Sequence, residues 1–372
     1  MLRTHKQNQA GLSLIELMIA MVVGLILLAG VLSIFLSSRN SYSINSGVAQ
    51  IQENGRFALG FISAATRQAG YMSCGSSANV TNQLIGAPTL PYNFAQAVYG
   101  FEYTGTAPLA TYAIASENPA PVPPGSWTGG LDANIPIAGA AYAISGSDVL
   151  VVRFVPNANN PNYATSIGPP SFFGTPVTTS LPTALPGGSL VVISNCVTSV
   201  AVQANALTFP GFFEVGGFLA GVTPGVSGGP IIPTSLTDAQ IGIVTTDVFY
   251  VGQGADGSPA LFVLSNNTNG AGGFSAAQEL VPGVENMQLL YGVDATGAVT
   301  TPTEYDTAAV VTAAGNWANV VSVRAALLLR SATGTVPIPT AAPPYNLLGT
   351  TITAPIDTRL RRVFTTTIAI RF

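Results

Sequence analysis

Lysine and histidine are almost missing from this sequence. Lys6 is the only lysine and His5 the only histidine in 372 residues. Beyond residue 6 there is therefore no imidazole and no amine side chain. That removes histidine general bases, Schiff-base and phosphate-binding lysines, and histidine metal ligands from the rest of the chain. Charge is scarce too. Asp, Glu, Lys and Arg make up 8%, against roughly 25% in an ordinary soluble domain. A net charge of −4 without basic clusters argues against a nucleic-acid partner. A hydrophobic content of 48% argues against disorder. No catalytic residue, metal site or cofactor is assigned, and no enzyme activity is expected.

What is present begins with a polar stretch, residues 1–11, carrying Arg3 and Lys6 and no acid. Leu12 to Leu36 then runs 25 residues with one charged side chain, Glu16. At about 1.5 Å per residue this run spans a bilayer as a helix. The preceding positive charge places the N-terminus in the cytoplasm and the remainder across the membrane, as a single span. An ordinary secretory signal has a shorter apolar region and a small-residue cleavage site. A plain anchor leaves Glu16 unexplained, since a carboxylate in a spanning helix costs about 2.5–3.5 kcal/mol and is usually partnered.

The string Gly11-Leu12-Ser13-Leu14-Ile15-Glu16-Leu17 resembles a prepilin signal. The resemblance implies cleavage by prepilin peptidase between Gly11 and Leu12, and N-methylation of Leu12. It also implies retention of the apolar segment. By the same resemblance Glu16 would be the fifth residue of the mature chain and would pair with the terminal amine of a neighbouring subunit during assembly. Leu12 departs from the phenylalanine that the family usually carries there.

The helix is expected to run on, over 12–70, with 12–36 in the membrane. Ile44, Val48, Ile51, Gly55, Ala58, Leu59, Ile62, Ala65 and Ala69 recur at helical spacing. No proline occurs before Pro88, and Gly70 offers a stop. Such a helix would be roughly 88 Å long, its first half in lipid or a fibre core and its second half against a head. A coiled-coil partner is the alternative for the second half.

After Gly70 strand-like runs alternate with loops, and all 27 prolines lie between Pro88 and Pro355. Expected strands are Val149–Val155, Leu190–Ser194, Asp247–Gly252, Ala260–Leu264, Asn286–Val293, Val320–Arg330 and Arg361–Phe372. Residues 116–139 and 156–188 read as long loops. The fold class is α+β: one long N-terminal helix packed on the antiparallel sheet of a single β-rich periplasmic head, 71–372.

Three motifs invite enzymatic readings that their surroundings oppose. Gly225-Val226-Ser227-Gly228-Gly229-Pro230 resembles a nucleophile turn but has no base. Gly252, Gly254 and Gly257 are followed by Pro259 and a strand rather than a helix, which favours a hairpin over a dinucleotide site. Glu304 and Asp306 flank Tyr305 and could bind Ca²⁺ with further oxygens, but the spacing alone is a weak signal and a solvated loop is the favoured reading.

Charge is unevenly distributed. Residues 71–319 hold 13 acids and one base, Arg153, whereas residues 320–372 hold six arginines and one acid, Asp357. Arg324, Arg330, Arg359, Arg361 and Arg371 either meet partners within the chain or dock an acidic face of another subunit. Cys74 and Cys196 are an even pair in an oxidising compartment and are expected to form a disulfide, with two buried thiols as the alternative.

Further stretches, "RQAGYMSCG", "GSDVLVVRF", "VISNC", "DVFYVGQG", "LVPGVENMQLLYGVD", "WANVVSVRAALLLRS" and "RLRRVFTTTIAIRF", resemble PilW-type minor pilins of the type IV pilus. That resemblance implies a non-enzymatic subunit that helps start the pilus and sits at or near its tip, in adhesion and twitching motility. Its implied partners are prepilin peptidase, other minor pilins, the major pilin, a tip-associated adhesin and the inner-membrane assembly machinery. The implied location is the inner membrane, then the surface pilus. A J-type pseudopilin of type II secretion and a loop-based surface adhesin are the alternatives; a secreted hydrolase is disfavoured by the missing bases.

Overall fold

The computed structural model describes residues 13–76, 80–82, 90, 93–94, 96–115, 121–139, 141–156, 162–169, 175–182, 184–215, 236–266, 274–297, 301–337 and 343–370. Helix α1 spans Leu14–Thr66, 53 residues, about 80 Å at the helical rise. Ser13 caps it: its backbone is extended and its hydroxyl accepts from Glu16 N at 3.3 Å. Ser13 and Glu16 have the spacing of a capping box. The helix stops at Thr66, short of the expected residue 70, because residues 67–70 form turns. Gly70 takes φ 80° and donates its N–H to Arg153 O at 2.9 Å. That left-handed conformation is open to glycine at little cost.

The strands follow in chain order. First come β1 (Tyr71–Met72), β2 (Gly75–Ser76), β3 (Val80–Asn82), β4 (Val98–Phe101), β5 (Thr111–Ala113), β6 (Val149–Phe154) and β7 (Asn162–Ile167). Next are β8 (Thr175–Thr179), β9 (Leu190–Ser194), β10 (Ser199–Phe209), β11 (Phe212–Val215), β12 (Gln240–Ile243), β13 (Thr245–Gln253) and β14 (Pro259–Ser265). Last are β15 (Gln278–Pro282), β16 (Val284–Val293), β17 (Glu304–Asp306), β18 (Val320–Arg330), β19 (Tyr345–Leu347), β20 (Thr350–Thr353) and β21 (Arg361–Ala369). Helix α2 (Ala308–Ala314) lies between β17 and β18, capped by Thr307 and stopped by left-handed Gly315.

Two sheets pack on the C-terminal half of α1. One has the order β15-β14-β13-β6-β4, the other β17-β16-β18-β21. Only Gly283 separates β15 from β16, so the two sheets are contiguous along the chain. The helix buries Gly47, Ile51, Gly55, Ala58, Ile62 and Ala65, steps of three and four that keep one stripe inward. Ile51, Ala58 and Ile62 join Leu150, Val152, Leu289, Val323, Ala325, Leu327 and Ile368 in one core.

The central strands are buried on both faces. On β6, Leu150 and Val152 face the helix core, while Val149 and Val151 enter a second core with Trp127, Tyr250 and Phe262. On β18, Ala326 and Leu328 meet Leu347 and Ile352 of the small β19-β20-β5 sheet. This explains the near-continuous apolar runs "VLVV" and "AALLL" in a largely antiparallel fold.

The expected single sheet is incomplete as a description of the head. Strands β11-β8-β7-β12-β9-β10-β3 form a further sheet, in which β11 pairs with β10 as well as β8. The sheet therefore closes on itself around a core of Val177, Val191, Ile193, Val200, Val202, Phe213 and Val215. Closure covers the edge of β11, while β3 adds parallel to the start of β10 as a short end strand. The expected 156–188 loop supplies two of its strands, β7 and β8.

Candidate assembly site

Gly11 and Leu12 lie outside the described residues, immediately before the Ser13 cap. Glu16 sits in the first turn of α1 and is exposed, where a carboxylate complements the helix dipole. Every residue of 14–36 is exposed. The helix is long and apolar enough to cross a membrane. The exposed apolar character continues beyond this run on the side of α1 turned away from the head, with Tyr42, Phe57 and Phe61.

The C-terminal arginines do different things. Arg361 Nε donates to Glu285 Oε2 at 2.6 Å and its Nη2 to Glu285 Oε1 at 3.1 Å. Its Nη1 donates to Asp357 Oδ1 at 2.9 Å, and Nη2 also reaches Asp357 Oδ2. Arg330 Nη1 donates to Glu285 Oε1 at 3.3 Å. The Arg330 and Arg361 side chains are each 1% exposed. Burial pulls the Arg361 guanidinium down, but its bonds to Asp357 and Glu285 more than offset this and hold it above its ordinary value. Arg330 and Arg361 are thus not available for docking: they neutralise two carboxylates inside the head.

Arg359 Nη1 donates to Ser331 O at 2.9 Å. Arg324 is half-buried and lies 3.6 Å from the ring centroid of Tyr305. Arg371 lies outside the described residues. Arg153, the lone base of 71–319, is 1% exposed. Its guanidinium donates to Leu90 O and Gln96 O, and burial lowers its pKa to about 10. Cys74, in the β1–β2 turn, is disulfide-bonded to Cys196, in the β9–β10 turn.

A buried acidic pair escaped the sequence reading. Asp148 accepts from Tyr103 N at 3.0 Å and Leu289 N at 2.9 Å. Burial raises its pKa to about 7 despite these two bonds. Glu102 is 4% exposed, and burial, then the neighbouring Asp148, push it up to about 9. Tyr291, also fully buried, lies beside both. The available signal was an acid, Asp148, directly preceding the all-apolar start of β6.

The motifs that invite enzymatic readings resolve differently. The Ser227 stretch lies outside the described residues. Gly252, Gly254 and Gly257 belong to the β13–β14 hairpin, where Gly254 N donates to Ser258 O at 2.7 Å. Glu304 and Asp306 stand on β17, paired with β16, and not in the expected loop. Among the described residues no group of three or more His, Cys, Asp or Glu is placed to hold a metal.

Two family models match the chain. The type IV pilus-assembly protein W model matches residues 248–371, which run from β13 through β21. The prokaryotic N-terminal methylation motif matches residues 6–32. No curated protein and no solved structure is significantly similar to it. The matched family is a structural component of the pilus, and its methylation motif implies processing by prepilin peptidase and assembly with other pilins. That motif and the apolar helix fit a membrane-anchored subunit. Signatures at both ends, carried on a long apolar helix and a mostly antiparallel head, mark this chain as a PilW-type type IV pilin, a minor pilin with a role in pilus assembly.

Proposed function

We propose that this subunit helps initiate the type IV pilus and occupies a position at or near its tip. The observation that carries the reading is Glu16: one carboxylate on an otherwise apolar, fully exposed stretch of helix. In a low-dielectric fibre core that charge needs a cation, and the amine of a methylated Leu12 on a neighbouring subunit supplies one. Prepilin peptidase cuts after Gly11 on the cytoplasmic side. The head, 71–372, waits in the periplasm until the helix is drawn into the fibre. A head that carries a closed sheet beyond the two packed on α1 suits a subunit with no neighbour stacked above it, where exposed loops are free for adhesion.

Deletion of this chain tests the reading. Surface pili and twitching should be lost or sharply reduced, and restored by the wild-type sequence. Normal piliation with impaired protein secretion would overturn it in favour of a pseudopilin of type II secretion.

A further inference from the structure

Strand β21 ends its sheet, in the order β17-β16-β18-β21. It pairs with β18 over nine consecutive positions, Arg361↔Arg330 through Ala369↔Ser322, with no register shift. Just beyond its two ends, Ser331 N donates to Leu360 O and Ile370 N donates to Val321 O. The even-numbered residues therefore bond inward to β18. By the alternation of an antiparallel ladder, Val363, Thr365, Thr367 and Ala369 turn their N–H and C=O outward. Among the described residues, no strand covers that flank.

Three other sheet ends among the described residues are protected. Strand β15 is five residues long, carries Glu279 and Pro282, and pairs across a bulge. Strand β17 is three residues, two of them acids. The helix-cradling end at β4 is four residues, buried or half-buried. In β21, by contrast, residues 363–369 read VFTTTIA, with no charge, proline or glycine. Thr365, Thr367 and Ala369 are exposed. A long, regular, uncharged edge of β-branched residues is what soluble proteins avoid leaving bare.

We propose that β21 is a strand-addition site, and that its occupant is an extended segment of a neighbouring pilin subunit. Only an extended chain offers N–H and C=O groups at the spacing of this edge. The segment should be rich in β-branched residues and carry an acid near Arg362, which is exposed at the start of the strand. A second copy paired antiparallel is a poor fit. The twofold axis of such a pair stands normal to the sheet, and α1 lies on the sheet face. The axis would turn the two membrane helices in opposite directions.

This inference rests on the assembly role proposed above, and the experiment separates the two. The full chain is co-expressed with the other pilins of its assembly and purified in detergent, alone and in complex. Amide hydrogen exchange is read residue by residue. The N–H groups of Val363, Thr365, Thr367 and Ala369 should exchange at least tenfold more slowly in the complex, while those of Phe364, Thr366 and Ile368 are slow in both. Thr367→Pro, which removes one outward donor and no β18 bond, should lower pilin co-purification at least tenfold. Thr367→Val should not. Co-purification with the four outward amides unprotected would overturn strand addition and leave the assembly role standing. Protection arising from a second copy of this chain would overturn the named occupant. Failure of every pilin to co-purify with the wild type would overturn both.

Discussion

The ring of Phe364 occupies the space where residue 55 of the long helix would otherwise carry a side chain. A Cβ at Gly55 would stand 2.7 Å from three ring atoms. Sheet and helix approach this closely only because that position is glycine. Gly55→Ala should gain about 1 kcal/mol of helix propensity and lose about 1–3 kcal/mol to overpacking. Gly60, on the same helix, would meet nothing within 4 Å. Gly60→Ala should therefore stabilise the purified chain by up to about 1 kcal/mol. Denaturant midpoints of the two variants should move in opposite directions.

Glu285 accepts from both Arg330 and Arg361, and its side chain is 2% exposed. Glu285→Gln removes the charge shared by two buried guanidinium groups and should cost about 3–5 kcal/mol. Arg324→Gln, at a half-buried surface stack, should cost less than about 1 kcal/mol. Equal losses in the two variants would refute the distinction between inner and outer arginines.

Processing and assembly separate at two positions. A bulky residue at Gly11 should leave a membrane precursor 11 residues longer than the mature chain, seen by intact mass. Glu16→Ala should leave insertion and cleavage unchanged, because it makes the helix more apolar. It should still reduce incorporation with partner pilins. Undiminished co-purification of Glu16→Ala would rule out the carboxylate–amine pairing.

The Cys74–Cys196 bridge closes a loop with a sequence separation of 122. It joins the turn that follows α1 to the closed sheet, at its β9–β10 turn. Chain entropy for a loop of that size amounts to about 5 kcal/mol at most. Cys74→Ser with Cys196→Ser should lower stability by about 2–5 kcal/mol. The exported wild type should show no alkylatable thiol before reduction and two after it.

Asp148 and Glu102 make the head sensitive to alkali. Their folded-state pKa values lie above the ordinary carboxylate range, at about 7 and about 9. The unfolded chain therefore gives up these protons at lower pH than the folded one. Their contribution to stability is full below about pH 4, where folded and unfolded chains both keep these protons, and is lost as pH rises to about 9, since the fold then holds two buried charges. Thermal unfolding should come at lower temperature at pH 9 than at pH 5. Glu102→Gln should flatten that dependence. A midpoint that rises with pH would contradict the burial argument.

The local features of this protein are written in short stretches of sequence. The 25-residue apolar run, the Ser13 cap and the steps from Ile51 to Ala65 define a helix without reference to anything distant, because 3.6-residue periodicity is a property of neighbours. Val320–Arg330 and Leu190–Ser194 are strands for the same kind of reason. Thr307 and Gly315 likewise bracket α2 with local capping chemistry. Tertiary structure alone decided which acids meet which bases: Glu285 lies 76 residues from Arg361 and shares a buried network with it. It also decided that β7 and β8, whose "NYATSI" and "TPVTT" carry weak alternation, become strands of a closed sheet. Strand propensity is set largely by what a strand packs against. Those neighbours come from 190–243, and a pairing across the fold leaves no trace at either site alone.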